Sequence, residues 1–308
     1  LFFMKLAIRL SSLNKNIIAN ITSRGISFIS TYLFTPLFLY FLGIESFGLV
    51  GFFSTLMGIL MILDLGLTAS LTRESARLSI SKKSETELKN TIRTFELIYL
   101  LFSIVIAISV WILAPMITDD WLNIRGLDIK DVIFSIRIMG FVIAFQLPTT
   151  LYFGGLMGLN KQIKANTLQI SWSLLRAIFT VLVLWLYSPT IIAFVVCQLI
   201  SNLIYFLVIR KSIWKLIPFN SPLIIPKFDK QTLIKNWKYS LGIAGISLLS
   251  TIIIQSDKIV MSKLLSLEEL GYYTLAATIA MFPIMISNPI TSAVFPEFIN
   301  LIESKSQK

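Results

Sequence analysis

"LGIESFGLVGFF", Leu42 to Phe53, is a short turn-forming stretch set between two long apolar runs, and it returns as "LSLEELGYYTLA", Leu265 to Ala276. Leu42 matches Leu265, Glu45 matches Glu268 and Gly48 matches Gly271. Three identities alone are weak. Position strengthens them, because each segment joins an odd-numbered apolar run to the next even-numbered one. An even number of runs separates the copies, so both copies run the same way. That predicts two halves related by an axis along the normal of a membrane.

Composition agrees. The 308 residues are 56% hydrophobic and 14% charged, with a mean hydropathy of +0.81, whereas soluble domains carry roughly 25% charged residues. Hydrophobic stretches predict eight helical spans, at about 17–42, 47–70, 94–118, 132–158, 166–187, 190–209, 239–263 and 270–295. Helices are expected throughout, since open sheet edges are excluded in lipid and the alternation of barrel strands is missing. The expected fold is therefore all-α and polytopic: a bundle of six transmembrane helices (1–210), a connector (211–236) and the first two helices of a second, truncated bundle (237–308). Pro218, Pro222 and Pro226 punctuate the connector and disfavour a continuous helix there.

The net charge of +11 is an orientation signal rather than a nucleic-acid surface. Most of the 27 basic residues gather at the end shared by the amino terminus, and only Arg125, Lys130 and Lys263 fall at the other. By the positive-inside rule the amino terminus is cytoplasmic. "LFFMKLAIRL" reads as an interfacial amphipathic helix, and Met4 suggests that the true start lies inside it. Cys197 is a small core residue. With no histidine in the chain, no catalytic residue, metal site or cofactor is expected.

The two turns, together with "ILDLGLTASLTRESAR" (Ile62 to Arg77) and "QSDKIVMSKLLSLEELGYYTLA" (Gln255 to Ala276), resemble the polysaccharide-repeat-unit (O-antigen) flippases of the multidrug/oligosaccharidyl-lipid/polysaccharide exporter superfamily. The resemblance spans the whole chain. It implies two six-helix bundles around a central cavity, and the movement of undecaprenyl-diphosphate-linked oligosaccharide across the bacterial cytoplasmic membrane. The implied partners are that glycolipid, membrane lipid and the polysaccharide polymerase machinery. The chain departs from the pattern by holding only two spans of the second bundle.

Such a substrate needs a polar, cationic interior. Six charges are assigned to the span interiors: Arg24, Asp64, Arg137, Arg176, Asp257 and Lys258, which sum to +2. Ionisable groups at this depth cost at least about 2.5 to 3.5 kcal/mol each, and so face a cavity or a partner. Arg176 is deepest, about 15 Å from either end of its span, and is the first choice for diphosphate or glycan; Arg24 and Lys258 are further substrate candidates. Arg24 and Asp64 sit at similar depth and are expected either to pair or to leave Arg24 free. Arg137 and Asp257 are expected to pair as a gate when the outer side is closed, or to snorkel independently. Arg73 and Arg77 lie four apart on one helical face, where they either meet a lipid headgroup or anchor topology. Pro283, Pro289 and Pro296 in the eighth span are candidate kinks, and Gly154 with Gly158 a packing motif.

A drug or cation antiporter of the same superfamily would share this topology but prefer an acidic interior. A membrane glycosyltransferase or polymerase would need a larger extramembrane site than "TDDWLNIRGLDIKD" (Thr118 to Asp131) offers. No P-loop is present.

Overall fold

The computed structural model describes residues 2–78, 85–216, 226–281 and 283, with side chains from residue 25 onward except 27, 28 and 85. Among them, helix is the only extended regular structure, as hydrocarbon demands of a backbone with no water to bond. The elements are α1 (Phe2–Leu60), a 3-10 turn (Met61–Asp64), α2 (Leu67–Leu78), α3 (Glu85–Met116), a π-helical turn (Ile117–Trp121), α4 (Ile129–Gly158), α5 (Gln162–Leu186), α6 (Ile191–Leu216), α7 (Lys230–Leu264) and α8 (Leu267–Ala280). Six stretches are long and apolar enough to cross a membrane: Ile29–Asp64, Thr86–Trp121, Ile129–Gly158, Gln162–Leu186, Ile191–Leu216 and Lys230–Leu264. The chain is an all-helical, polytopic membrane protein.

The first of those stretches holds two expected spans. α1 is interrupted at Gly43, whose φ of 74° and ψ of 168° are not helical, and the limbs on either side run antiparallel. Tyr32 on the first limb donates to the Thr278 carbonyl at 2.6 Å, while Gly51 on the second faces Thr274. On one straight helix Tyr32 and Gly51 would stand about 28 Å apart, yet they meet residues one turn apart on α8.

The repeated turns pack on each other. Gly48 lies against the backbone carbonyl of Leu267, and Gly271 against that of Ile44. Ile44 and Leu267 occupy the same place in the repeat, as do Gly48 and Gly271. Position i meets j and j meets i, the reciprocity a two-fold axis requires. A β-carbon at either glycine would overlap the facing carbonyl, so this approach depends on glycine.

α4 runs through the core, with Ile136, Met139, Ile143, Leu147 and Leu151 fully enclosed. Its glycines let neighbours close in: Gly140 meets Val110 of α3, Gly155 meets Ile213 of α6, and Gly154 and Gly158 meet Thr68, Thr72 and Ser75 of α2. The Gly154/Gly158 motif is thus an α2–α4 contact, with the Thr72 hydroxyl donating to the Gly154 carbonyl at 3.0 Å. α5 and α7 carry exposed apolar side chains such as Trp185, Leu186 and Ile253 (74% exposed).

Helix ends depart from the expected limits in an orderly way. α3 begins at Glu85 rather than near 94, and α6 and α7 reach into the expected connector from both sides, to Leu216 and from Lys230. Hydropathy marks the thickness of the lipid; helix continues past it wherever capping and propensity allow, as at Asp229, whose carboxylate caps α7 through the Gln231 N–H at 2.9 Å. Pro218, Pro222, Pro289 and Pro296, and the eighth span beyond Pro283, lie outside the described residues. The second span, expected as continuous over 47–70, is broken. Leu65 (φ 48°) and Gly66 (φ 69°) both adopt left-handed conformations, and Gly66 abuts the Ser240 carbonyl and Ile243 of α7, with no space for a side chain.

α7 is fastened to the first bundle at both ends. At the end bearing the short turns, the connection from α3 to α4 bonds the α7–α8 turn: Asn123 Nδ2 donates to the Lys263 carbonyl at 3.0 Å, the Leu267 N–H donates to the Asn123 carbonyl at 3.0 Å, and Trp121 Nε1 donates to Ser262 at 3.0 Å. Glu45 holds the same loop by accepting the Arg125 and Gly126 N–H groups at 2.8 and 2.9 Å. At the basic end, Ser70 and Ser240 share a 2.7 Å hydrogen bond, and Arg73 donates to Asn236 at 2.7 Å. A capping box starts α8; hydrogen bonds from the Ser266 backbone N–H and hydroxyl hold the Glu269 carboxyl below the usual carboxylate range.

Candidate functional site: a polar cavity inside the helix bundle

A cavity of about 360 Å³ opens among α2, α4, α5 and α6. α4 contributes Gln146, Thr149, Thr150 and Phe153, α5 contributes Gln169, Trp172, Ser173 and Arg176, α6 contributes Asn202 and Tyr205, and α2 contributes Thr68. The α4 and α5 contributors recur at helical spacing, so one face of each helix is polar within an otherwise apolar span. Arg176 is the single charged residue of this lining. Among the described residues no carboxylate pairs with its half-buried guanidinium. Beside it the Trp172 and Tyr205 rings stack in parallel, 5.6 Å between centroids and 5° between planes.

The other expected site residues are elsewhere. The Arg24 side chain lies outside the described residues, so its pairing with Asp64 has no counterpart here. Asp64, at the break in the second span, accepts hydroxyl hydrogen bonds from Thr68 and Tyr99. Arg137 lies over the Trp111 ring of α3, 4.9 Å from its centroid, and Asp257 accepts from the Tyr273 hydroxyl on α8. The two are not paired in this structure. Depth along a span is readable from sequence, whereas the face a residue takes is not: Arg137 meets Trp111 of α3. Lys258 sits half-buried on α7, outside the cavity lining.

Arg73 and Arg77 are engaged with protein. Arg73 bonds Asn236 and stacks over Tyr239 at 4.2 Å, and Arg77 donates to Glu74 and to Glu87, each at 2.8 Å. Glu74, between them and only 3% exposed, is the centre of this network. Its spacing from Arg77, three residues, is a helical ion-pair signal.

A second buried carboxylate belongs with the interior charges. Glu96, fully enclosed, accepts from Arg93 at 2.8 Å, Arg210 at 2.5 Å and the Tyr152 hydroxyl at 2.5 Å. It stands near the start of the third span, in "RTFEL", and counting it lowers the interior sum from +2 to +1. The Arg93–Glu96 spacing was the available sign; Arg210 arrives from α6 and left none.

Residues 13–301 match the family of polysaccharide biosynthesis proteins. Among solved structures, the fold is similar to the MATE multidrug transporter DinF-BH (TM-score 0.70, 14% identity, covering 93% of this chain and 64% of that one). It is also similar to an inward-facing multidrug resistance MATE family transporter of the MOP superfamily (TM-score 0.67, 17% identity, 90% and 63%). A third is a MOP superfamily transporter from Pyrococcus furiosus, described as having a binding pocket of reverse polarity (TM-score 0.56, 16% identity, 77% and 52%). The chain spans less than two thirds of each of these proteins' own length. No match was found among curated proteins. The match over residues 13–301 places the chain in the polysaccharide biosynthesis protein family, on a fold similar to that of these transporters.

Proposed function

We propose that this protein is a flippase that moves undecaprenyl-diphosphate-linked oligosaccharide from the cytoplasmic to the outer leaflet of a bacterial inner membrane, for assembly of a surface polysaccharide such as O-antigen or capsule. The observation that carries the reading is the cavity itself: a membrane-buried chamber with an aromatic pair, several amides and hydroxyls, and Arg176 as its one charge. An isoprenoid tail stays in lipid at no cost, whereas glycan and diphosphate need hydrogen bonds and positive charge along the way. Arg176 with amide neighbours supplies both. A cation antiporter would place a carboxylate in the lining; Asp64 approaches it only through the Thr68 hydroxyl.

Movement follows from two halves rocking about the repeat axis. Residues 1–210 form one half, 211–236 the link and 237–308 the start of the other. The end carrying the repeated turns is the outer gate, closed here by the Gly48–Leu267 and Gly271–Ile44 contacts, while the basic end with the amino terminus is cytoplasmic. No catalysis by the chain is required; the polymerase machinery takes the glycolipid after release.

Cells lacking the protein are expected to accumulate lipid-linked repeat units in the inner leaflet, and Arg176→Ala to reproduce part of that defect, read by extraction and mass analysis of the lipid-linked pool. Normal surface polysaccharide in a deletion strain without a second flippase contradicts the reading.

A further inference from the structure

Arg137 lies outside the cavity lining, and no described residue meets the needs of its charge. The guanidinium stacks over the Trp111 ring. Among the described residues it forms no ion pair or hydrogen bond, and its Nε is closed off without an acceptor. Nη1 and Nη2 also lack a partner there, but they are not closed off. A guanidinium has five N–H donors and no acceptor, so a second molecule has to supply the oxygens.

The surroundings are those of lipid. In the first half of α4, Phe134 and Phe141 are exposed with the half-buried Arg137 between them, at i, i+3 and i+7, while Ile136, Met139 and Gly140 are buried. Beside them α3, the most apolar of the six spans, exposes Leu101, Ile104, Val105, Ile108 and Ile112 in one stripe. Trp111 stands at the edge of that stripe, exposed, and meets Phe141 edge-on at 5.8 Å between centroids.

Depth fits a headgroup. Arg137 is six residues beyond Asp131, the last charged residue before the apolar run of α4, a rise of about 9 Å. Helical side chains lean toward their helix's N-terminus, here back toward the membrane rim, and an arginine stem carries its head to the phosphate layer. Trp111, five residues before the end of α3 at Met116, sits at the level where tryptophan marks the interface. From Ile112 to Leu101 the stripe runs about 16 Å, half of a hydrocarbon core of roughly 30 Å and so the reach of an acyl chain in one leaflet.

We propose that α3 and α4 hold a glycerophospholipid of the leaflet opposite the basic end. Its phosphodiester accepts from Arg137 Nη1 and Nη2 and from the Trp111 indole N–H, and an acyl chain lies along the α3 stripe. One arginine suits the single charge of a phosphodiester, and the stripe ends where one leaflet ends, so the occupant is a bilayer lipid rather than cargo. The site stands apart from the transport reading. Its occupant braces α4, the helix that brings Gln146, Thr149 and Thr150 to the cavity.

The test titrates lipids into the delipidated full-length protein and reads binding by native mass spectrometry. Three probes are used: palmitoyl-oleoyl phosphatidylglycerol, a glucosyl diacylglycerol with the same chains and no phosphate, and undecaprenyl diphosphate. The first phosphatidylglycerol is expected to bind about 10-fold or more tightly than the glucosyl lipid, the scale of one charge-assisted hydrogen bond. Arg137→Gln is expected to erase that preference. Arg137→Lys keeps part of it, since an ammonium retains the charge but not the planar fork, and Trp111→Leu weakens phosphatidylglycerol while leaving the glucosyl lipid unchanged. Phosphatidylglycerol with a photoreactive group in its acyl chain is expected to label the stretch 101–112, and to lose that label in Arg137→Gln. Unfolding temperatures without lipid control for misfolding; should Arg137→Gln fail to fold, Arg137→Lys and Trp111→Leu carry the same comparison. Equal binding of phosphatidylglycerol and the glucosyl lipid, a preference that survives in folded Arg137→Gln, or labelling that spares 101–112 overturns the site. Displacement of the photoreactive lipid from 101–112 by an equimolar amount of undecaprenyl diphosphate overturns the bilayer-lipid assignment.

Discussion

Arg176 and Glu96 show what a buried charge does with and without partners. Glu96 has three donors within hydrogen-bonding distance and ties α3 to α4 and α6. Its removal leaves Tyr152 and Arg210 facing an empty acceptor position, so Glu96→Ala is expected to cost about 3 kcal/mol, the low end for breaking a buried pair because both arginines are partly exposed. Thermal unfolding in detergent measures it. Arg176 has no carboxylate partner among the described residues, and Arg176→Ala is expected to leave the unfolding temperature nearly unchanged while impairing transport. Sequence made Arg176 legible because a lone arginine far from both ends of its span has few explanations. It concealed the faces: Arg137 and Asp257 share a depth and still turn to Trp111 and Tyr273, and nothing in linear spacing distinguishes these outcomes from a pair.

Two glycine-dependent features govern the elements. The Gly48–Leu267 and Gly271–Ile44 contacts bring the repeated turns together, and a valine at either glycine must push the facing carbonyl away. Overpacking costs about 1 to 3 kcal/mol; if the contact exists only when this end is closed, a shift of 1 to 2 kcal/mol changes the open-to-closed ratio about 5- to 30-fold. Spin labels at the exposed Ile129 and Leu264 are expected to show a longer-distance population that grows in Gly48→Val and Gly271→Val alike, and unequal effects would argue against a symmetric gate. The break at Leu65–Gly66 is the other feature. "LDLGL" advertises a small residue for close approach, and Gly66 does approach α7 closely. The left-handed Leu65 beside it carries no sequence signal, since such a backbone is disfavoured for leucine and persists only where the surroundings impose it.

At the scale of the whole molecule, membrane class, span order and the repeat were readable because lipid imposes length, helix and charge placement on any chain that crosses it. What hydropathy could not supply was the packing that makes the cavity: its polar residues come from α2, α4, α5 and α6, and each apart from Arg176 looks unremarkable within its own span. The proposed orientation, amino terminus inside, rests on the basic residues. A single cysteine replacing Arg125 is expected to react with an impermeant maleimide added outside intact cells, and one replacing Lys161 to react only after lysis; the opposite pattern would invert the topology. The central claim is that this bundle carries a lipid-linked glycan past Arg176. It is tested most directly by reconstituting the full-length protein in liposomes with a fluorescent undecaprenyl-diphosphate oligosaccharide and timing its passage between leaflets. The account predicts protein-dependent passage slowed about 10-fold or more by Arg176→Ala, in line with the loss of one charge-assisted contact; passage at the protein-free rate, or at an undiminished rate in Arg176→Ala, would contradict it.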